Sequence, residues 1–500
     1  MRISFIGLLI VCNLSIWAQK KVITGRVMDV ETGIVLPFAS ISLNDYSNGS
    51  VSNSEGAYVM DIAADRLEDS LYFSYIGYET LGVSVKSLLL EGSVCLRSAQ
   101  INLAEIPVYS QTLNALAIIK LVEKNFPKNH PQVNQVQHLF YHNYNNTPFS
   151  EVNKMNVLKT SFADIDQGLV DEVLEVIPED IKSYRDVIVD FYSYGAERKI
   201  MPIEGISLQE STALSVQKQI EEKLLFLSDD IELSFEDDEL YYKMGTGIIS
   251  SKLELDESDS EDIDTVMTNT DDTTHYSISS EYLKKDIGNF LVNTAHINSD
   301  NLEFINKPKK YNYQKELTLF NDEWVYKINF DPKEQGIFQG ILYIAATNYA
   351  ILQFDYEFAT GKSTENINLL GIGHKVNYKK AQVIYEKLDT AYFVKYVNAE
   401  KREFFSVDRN FFMVKKENRF LFDKVLNKIK FALDMQFETK NGWELLVIHR
   451  QNLTKEAFEL VKEPEKMTIK KELVYSMGMW DHGSVIVPNT ELKNFRRDNK

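Results

Sequence analysis

Eight histidines, two cysteines and 73 acidic side chains are the groups of this 500-residue chain that chemistry could recruit. No histidine begins His-x-x-Glu or His-Glu-x-x-His, the spacings that set zinc ligands on one helical face. His138 and His142 lie four apart, which would serve on a helix. The run from His138 to Tyr144 reads instead as a strand, where the two rings point the same way but stand too far apart for one metal ion. They read as a structural or solvated pair. No Gly-x-Ser-x-Gly elbow exists, and no histidine signature accompanies Cys95, so nucleophilic catalysis lacks a candidate. Cys95 sits between Val94 and Leu96 and reads as a buried structural thiol.

Two glycine-rich fragments imitate phosphate loops. Gly361-Lys362-Ser363 has Tyr356 where the first glycine belongs, and Gly371-Ile372-Gly373 has Val376 in place of the third. Both read as hairpin turns. Asp and Glu are too abundant for spacing to expose an acid/base couple, a glycosidase pair included. The aromatic alternation within 311–439 reads as the core of a sheet, with an apolar ligand cleft as the alternative. The sequence therefore assigns no catalytic, cofactor-binding or metal-ligating residue, and no cofactor is expected.

The elements that would position any site begin with an export segment. Arg2 precedes an apolar run from Ile3 to Trp17, interrupted by Ser4, Gly7, Asn13 and Ser15 and followed by Ala18. A basic start, an apolar middle and a small residue at the end are the pattern of a secretory signal peptide over 1–18. The run is shorter than the ~20 residues a spanning helix needs. Val11, branched before Cys12, argues against a lipoprotein signal. Cleavage after Ala18 would leave Cys95 as the one thiol, so no internal disulfide is expected. The longest unbroken apolar run after that point is Ile341–Ala346, too short for a transmembrane helix.

Residues 22–108 read as about seven short strands separated by turn signals, hence a small β-sandwich. Gly25-x-Val27-x-Asp29-x-x-Thr32-Gly33 is followed by Leu36-Pro37-Phe38-Ala39. Asn53-x-x-Gly56-x-Tyr58, then Ser74-x-Ile76-Gly77-Tyr78-Glu79 and Leu103-x-Glu105-Ile106-x-Val108, complete the series. This series resembles the carboxypeptidase regulatory-like domain found at the N-termini of bacterial outer-membrane receptors and related envelope proteins. The resemblance implies a transthyretin-like accessory sandwich that does not itself cleave peptides.

Residues 112–227 read as a mixed α/β segment. Thr112 caps a helix from Leu113 to about Asn125, ended by Phe126-Pro127, and helical stretches are expected near 150–166 and 209–227. Residues 228–275 form an acidic mobile insertion. Positions 229–272 hold 16 Asp/Glu against Lys243 and Lys252, about three quarters of the formal charge of −19. The EF-hand spacing is missing there. From 276 to 490 antiparallel strands dominate, starting with Tyr311–Phe320 and Glu323–Phe330 and including Thr390–Phe405 and Phe431–Thr439. Asn321-Asp322 and Leu388-Asp389 fall at hairpin tips, and 455–474 read as a helix-and-strand tail.

The Phe140-Tyr141 strand, Gly340-Ile341-Leu342-Tyr343-Ile344 with Tyr349-Ala350-Ile351, and Trp480 with Val485-Ile486-Val487-Pro488 follow in order. They are similar to the downstream region of bacterial envelope proteins that carry the same N-terminal module. The middle motif also resembles the strand-turn-strand of lipoprotein-carrier-like half-barrels. Ala345 and His142-Asn143 depart from that pattern, which has charged residues at those places.

The expected fold class is mainly β with some α: an N-terminal β-sandwich, then a larger antiparallel β-rich α+β domain. The expected function is that of a non-enzymatic exported protein, in the periplasm or at the outer membrane of a Gram-negative bacterium. It would bind a partner protein of the envelope, an outer-membrane complex, or an apolar ligand such as a lipid. A hydrolase acting on peptide or glycan, and a cell-surface structural protein, are the alternatives. Export and the lack of a basic face exclude a nucleic-acid partner.

Overall fold

Alternation of buried and exposed residues decides the N-terminal fold. The computed structural model describes residues 20–43, 49–100, 113–148, 154–177, 180–209, 239–252 (save 248), 275–472 (save 421), 474–476, 479–480 and 485–495, with scattered positions between 222 and 234. The expected signal peptide, Leu103–Val108, most of the 209–227 stretch and the densest acidic run lie outside the described residues.

Seven strands build the first unit: β1 (Lys20–Asp29), β2 (Ser40–Leu43), β3 (Gly49–Val51), β4 (Ala57–Ala63), β5 (Ser70–Ser74), β6 (Leu81–Ser84) and β7 (Val94–Leu96). They form a three-stranded sheet, β4-β1-β7, and a four-stranded sheet, β3-β2-β5-β6. Ile23, Val27, Ile41, Tyr58, Leu71 and Phe73 are in the core between them. The expected sandwich is present. Cys95 departs from expectation: Val94 and Leu96 are buried, so strict alternation turns the thiol between them outward, where it is free and exposed.

The motif residues of this unit build turns. Asp29 Oδ1 accepts from the backbone N–H groups of Glu31 (2.8 Å) and Thr32 (2.7 Å), and its Oδ2 accepts from the Tyr78 hydroxyl at 2.7 Å. Those bonds hold its carboxyl down at about 2. Gly33 takes the positive φ that closes the turn. Asn53 Oδ1 likewise accepts from Glu55 N and Ala57 N, both at 2.9 Å. Two further bonds come from the far end of the chain. Ser50 Oγ donates to the Val485 carbonyl (3.1 Å), and Asn53 Nδ2 donates to that of Val487 (2.9 Å), so Val485–Val487 belong to this unit.

The second unit is one 16-stranded sheet with helices. Its strands begin with β8 (Gln135–Pro148), β9 (Lys154–Thr160), β10 (Asp180–Tyr194) and β11 (Glu197–Gln209). β12 (Leu240–Thr246), β13 (Ile249–Lys252), β14 (His275–Ser279) and β15 (Tyr311–Phe320) follow. Then come β16 (Glu323–Pro332), β17 (Phe338–Ala345), β18 (Ile351–Phe358) and β19 (Thr364–Leu369). β20 (Ile372–Leu388), β21 (Ala391–Glu417), β22 (Lys424–Asn452) and β23 (Lys466–Glu472) complete it. The main path runs β14-β23-β11-β10-β8-β22-β21-β20-β18-β17-β16-β15, with β9, β12, β13 and β19 attached at its sides. Mainly β with a smaller helical part is therefore the observed class.

Several local expectations change. Asn114, not Thr112, caps the helix expected after position 112, accepting from Ala117 N at 2.8 Å. That helix runs Ala115–Asn129, and Pro127 is tolerated in its last turn. Residues 154–160 are strand, not helix, because Val157 packs on Phe431 of β22; the helix starts later, at Gln167–Val176, capped by Asp166. Within the acidic segment, β12 and β13 form a hairpin paired to β21, so these residues are not a mobile loop. β21 and β22 also run far beyond the expected bounds. Asn321 and Asp322 both take positive φ at the β15–β16 tip, as the sequence indicates. Among the described residues no helix is long and apolar enough to cross a membrane.

Candidate functional site

The histidines singled out by spacing are structural partners of aspartates. In the antiparallel ladder, Asp186 of β10 faces His142 of β8, and Asp190 faces His138. The His138 Nδ1 stands 2.7 Å from Asp190 Oδ1, and His142 Nδ1 is bonded to Asp186. Glu444 of β22 flanks His142 on the other side, and the His449 ring stacks on His138 at 4.9 Å. The rows lie four residues apart on one strand, which places the two imidazoles on separate partners. A signal was present: His138-x-x-x-His142 and Asp186-x-x-x-Asp190 share one spacing, and antiparallel pairing brings them into register.

Burial opposes a charged His142, but the charge and hydrogen bond of Asp186, helped by Glu444, outweigh it and raise its pKa above the ordinary 6.5. A histidine raised in the folded state adds stability that is complete below pH 6.5 and is lost as pH climbs through its folded value. The urea midpoint is therefore expected to fall as pH is raised above about 6.5, and His142→Gln to flatten that slope. An unchanged slope in the variant would show that the pair does not titrate.

The phosphate-loop imitations are turns. Gly361 follows β18, and Leu370-Gly371, both with positive φ, join β19 to β20. Glu365, His374 and Glu403 are the one described group whose ligand atoms fall within 4.8 Å of one another. His374 Nδ1 is 3.7 Å from Glu365, and its Nε2 is 3.3 Å from Glu403. The carboxylates thus take opposite edges of one ring. The Lys401 ammonium already stands 2.9 Å from Glu403, and Asn441 donates to the same oxygen at 3.3 Å. This is a chain of polar contacts along β19, β20 and β21, in which Glu403 is shared between His374 and Lys401.

The concave site that sequence reading missed is a cavity of about 770 Å³ in the second unit. The end of the Ala115–Asn129 helix and the Ser280–Ala295 helix form one side, and β8, β10, β20, β21 and β22 the other. Phe126, Phe191, Leu291, Val292, Tyr385 and Phe393 give it an apolar lining. His130 stacks on Phe126 at 4.4 Å, and its Nε2 accepts from Ile351 N, which leaves the proton on Nδ1. Burial drives its pKa down to about 3, so the ring stays neutral.

Polar groups punctuate this lining. Arg450, 10% exposed, donates to the Val394 carbonyl at 2.6 Å and stands 3.3 Å from Glu386. Behind it, the buried Lys395 ammonium lies 3.6 Å from the other oxygen of Glu386. Two cations therefore share one carboxylate. Arg198, also in the lining, spends one nitrogen on the Gly195 and Glu197 carbonyls (2.9 and 2.8 Å). Arg450 Nε and the side-chain oxygens of Gln135 and Asn306 are buried and have no hydrogen-bond partner among the described residues. Glu123 is the one acid among the described lining residues, so carboxylate chemistry has no second member there.

Residues 23–108 match the CarboxypepD_reg-like domain family. That stretch is thus similar to a CarboxypepD_reg-like domain. Within this stretch, Asp29, Thr32, Asn53 and Tyr78 are all engaged in turn-building bonds. The match ends before β8, so it does not describe the large sheet. No curated relative matches the chain. A solved structure described as the crystal structure of MucB in complex with MucA(peri) aligns with 68% of this chain and 100% of that one. Identity is 6% and the TM-score 0.16, a likeness that carries no argument about fold or partner.

Proposed function

We propose that this protein is a non-enzymatic exported protein of a bacterial envelope that binds an amphipathic ligand in the cavity of its large sheet. The observation that carries the reading is the cavity itself. Its volume lies within the roughly 300–1,000 Å³ of small-molecule sites, and its lining is mainly apolar with a few convergent polar groups. Arg450 and Arg198 supply positive charge for an anionic end, while Phe191, Leu291 and Val292 suit a hydrocarbon. The CarboxypepD_reg-like domain, an accessory sandwich in the envelope proteins the sequence resembles, supports placement at the outer membrane or in the periplasm. Docking of a partner through that domain belongs to the same reading.

Gly288 offers a test that spares the fold. A Cβ built there meets nothing within 4 Å, and the residue lines the cavity from its helix. Gly288→Leu is expected to fill the space and weaken binding of a fluorescent fatty acid at least tenfold. Thermal stability should hold or rise, since leucine is the better helix former by about 0.7–1 kcal/mol. Solvent extraction of the native protein followed by mass spectrometry should also release an amphiphile. An empty extract, together with no binding of the fatty acid, would refute the reading.

A further inference from the structure

The polar part of the cavity lining is ordered by strand register. Directly opposed residues of an antiparallel pair share one face of the sheet. One rung across β8, β10 and β11 reads Gln135, Ser193, Arg198. The next rung on that face reads Arg450, Gln137, Phe191 across β22, β8 and β10. All six residues line the cavity. The aromatic lining from Tyr385 and Tyr392 belongs to β20 and β21, on the far side of β22 from Gln135, Ser193 and Arg198. Tyr385, Tyr392 and Phe126 are buried, whereas Asn134 and Gly195, next to the first rung, are exposed. The mouth of the cavity is therefore polar and its depth aromatic.

The unmet groups at that mouth define a ligand head. Among the described residues Arg198 bonds through Nη1 alone, to the Gly195 and Glu197 carbonyls, which leaves its other nitrogens for an anion. The buried side-chain oxygen of Gln135 has no partner among the described residues, and an amide oxygen only accepts. The oxygens of an ionised carboxylate or sulfate also only accept, so an acid by itself leaves Gln135 unmet. A hydroxyl donates to it and accepts in turn from the buried Ser193 or Gln137. An acid joined to hydroxyl groups answers the whole rung, whereas a bare acid answers Arg198 alone.

We propose, resting on the cavity reading, that the ligand is an acyl chain whose head joins an acidic group to hydroxyl groups. The head lies over Gln135, Ser193 and Arg198, and the chain runs toward Tyr385 and Tyr392. The test is displacement of the fluorescent fatty acid from the full chain by three amphiphiles with a sixteen-carbon chain, each below its micelle concentration. Hexadecyl sulfate carries an acid without hydroxyls, hexadecyl maltoside hydroxyls without an acid, and palmitoyl lysophosphatidylglycerol both. The lysophospholipid should displace the probe at about tenfold lower concentration than either of the others, the worth of one or two hydrogen bonds. Gln135→Leu should bring it close to hexadecyl sulfate, and Arg198→Met close to hexadecyl maltoside. Both positions are half-buried, and Gln135→Leu removes an unmet polar atom, so its urea midpoint should hold. Equal displacement by hexadecyl sulfate and the lysophospholipid, or a Gln135→Leu variant that keeps the full difference between them, would overturn the head assignment and leave the cavity reading standing. A protein that binds neither the fatty acid nor any of the three would overturn both.

Discussion

Glu386→Ala is expected to destabilise the second unit by about 3–5 kcal/mol, the cost of leaving buried charge without its partner. Glu386 is the carboxylate between Lys395 at 3.6 Å and Arg450 at 3.3 Å, and Lys395 is almost wholly buried. Burial pulls the pKa of Lys395 down, Glu386 restores part of it, and Arg450 lowers it again. Without the carboxylate, two cations would face each other across a poorly hydrated wall of the cavity. Urea unfolding at neutral pH measures the loss. The double variant Glu386→Ala, Lys395→Met should recover a substantial part of it, because one uncompensated charge is gone. A loss below about 1 kcal/mol, the scale of an exposed pair, would mean that water reaches the cluster freely.

Phe304→Ala is expected to cost a similar amount, about 3–5 kcal/mol, through a cavity that its neighbours cannot close. Phe304 is 0% exposed and lies 4.3 Å from the Phe330 ring in a stack. The rings of Tyr311, Phe338, Phe354 and Tyr356 stand around it at 5.4–6.4 Å. These rings come from β15 to β18, which form a stiff antiparallel meander unable to collapse inward. The short Glu303–Asn306 helix is itself pinned, because Glu303 accepts from Tyr311 OH and Ile337 N and pairs with Lys310 at 2.8 Å. Phe304→Leu, which keeps most of the volume, should cost less than half as much in the same urea titration. Equal losses in the two variants would point to backbone rearrangement rather than packing.

Local signals served the meander well and the site poorly. The Asn321-Asp322 tip and the alternation on either side set β15 and β16, because β16 buries one face and the first half of β15 alternates half-buried with exposed residues. β21 and β22 escaped in part because their outer halves carry half-buried residues on both faces, which blurs the period of two. The stretch at 154–160 was misread for want of its partner: Val157 finds its place against Phe431, more than 270 positions later. The aromatic alternation of 311–439 divides by position. Phe330, Phe338, Phe354 and Tyr356 fill the core around Phe304, whereas Tyr385, Tyr392 and Phe393 line the cavity. Its other walls come from residues near 126, 191, 291 and 450, a set that no sequence window contains. Cys95 was legible in principle, since alternation within Val94-Cys95-Leu96 requires it to face opposite to its neighbours.

The bonds from Ser50 and Asn53 to Val485 and Val487 give the N-terminal sandwich a timetable. Their partners lie 435 and 434 positions downstream. At ribosomal rates of about 5–20 residues per second, roughly 20–80 s pass between synthesis of the last of its strands and that of those carbonyls. Until then the Ser50 hydroxyl and the Asn53 amide must be met by water. The first unit in the chain is thus among the last to be finished, and a chain that ends before Val485 leaves it without those two bonds however well the strands before it have formed.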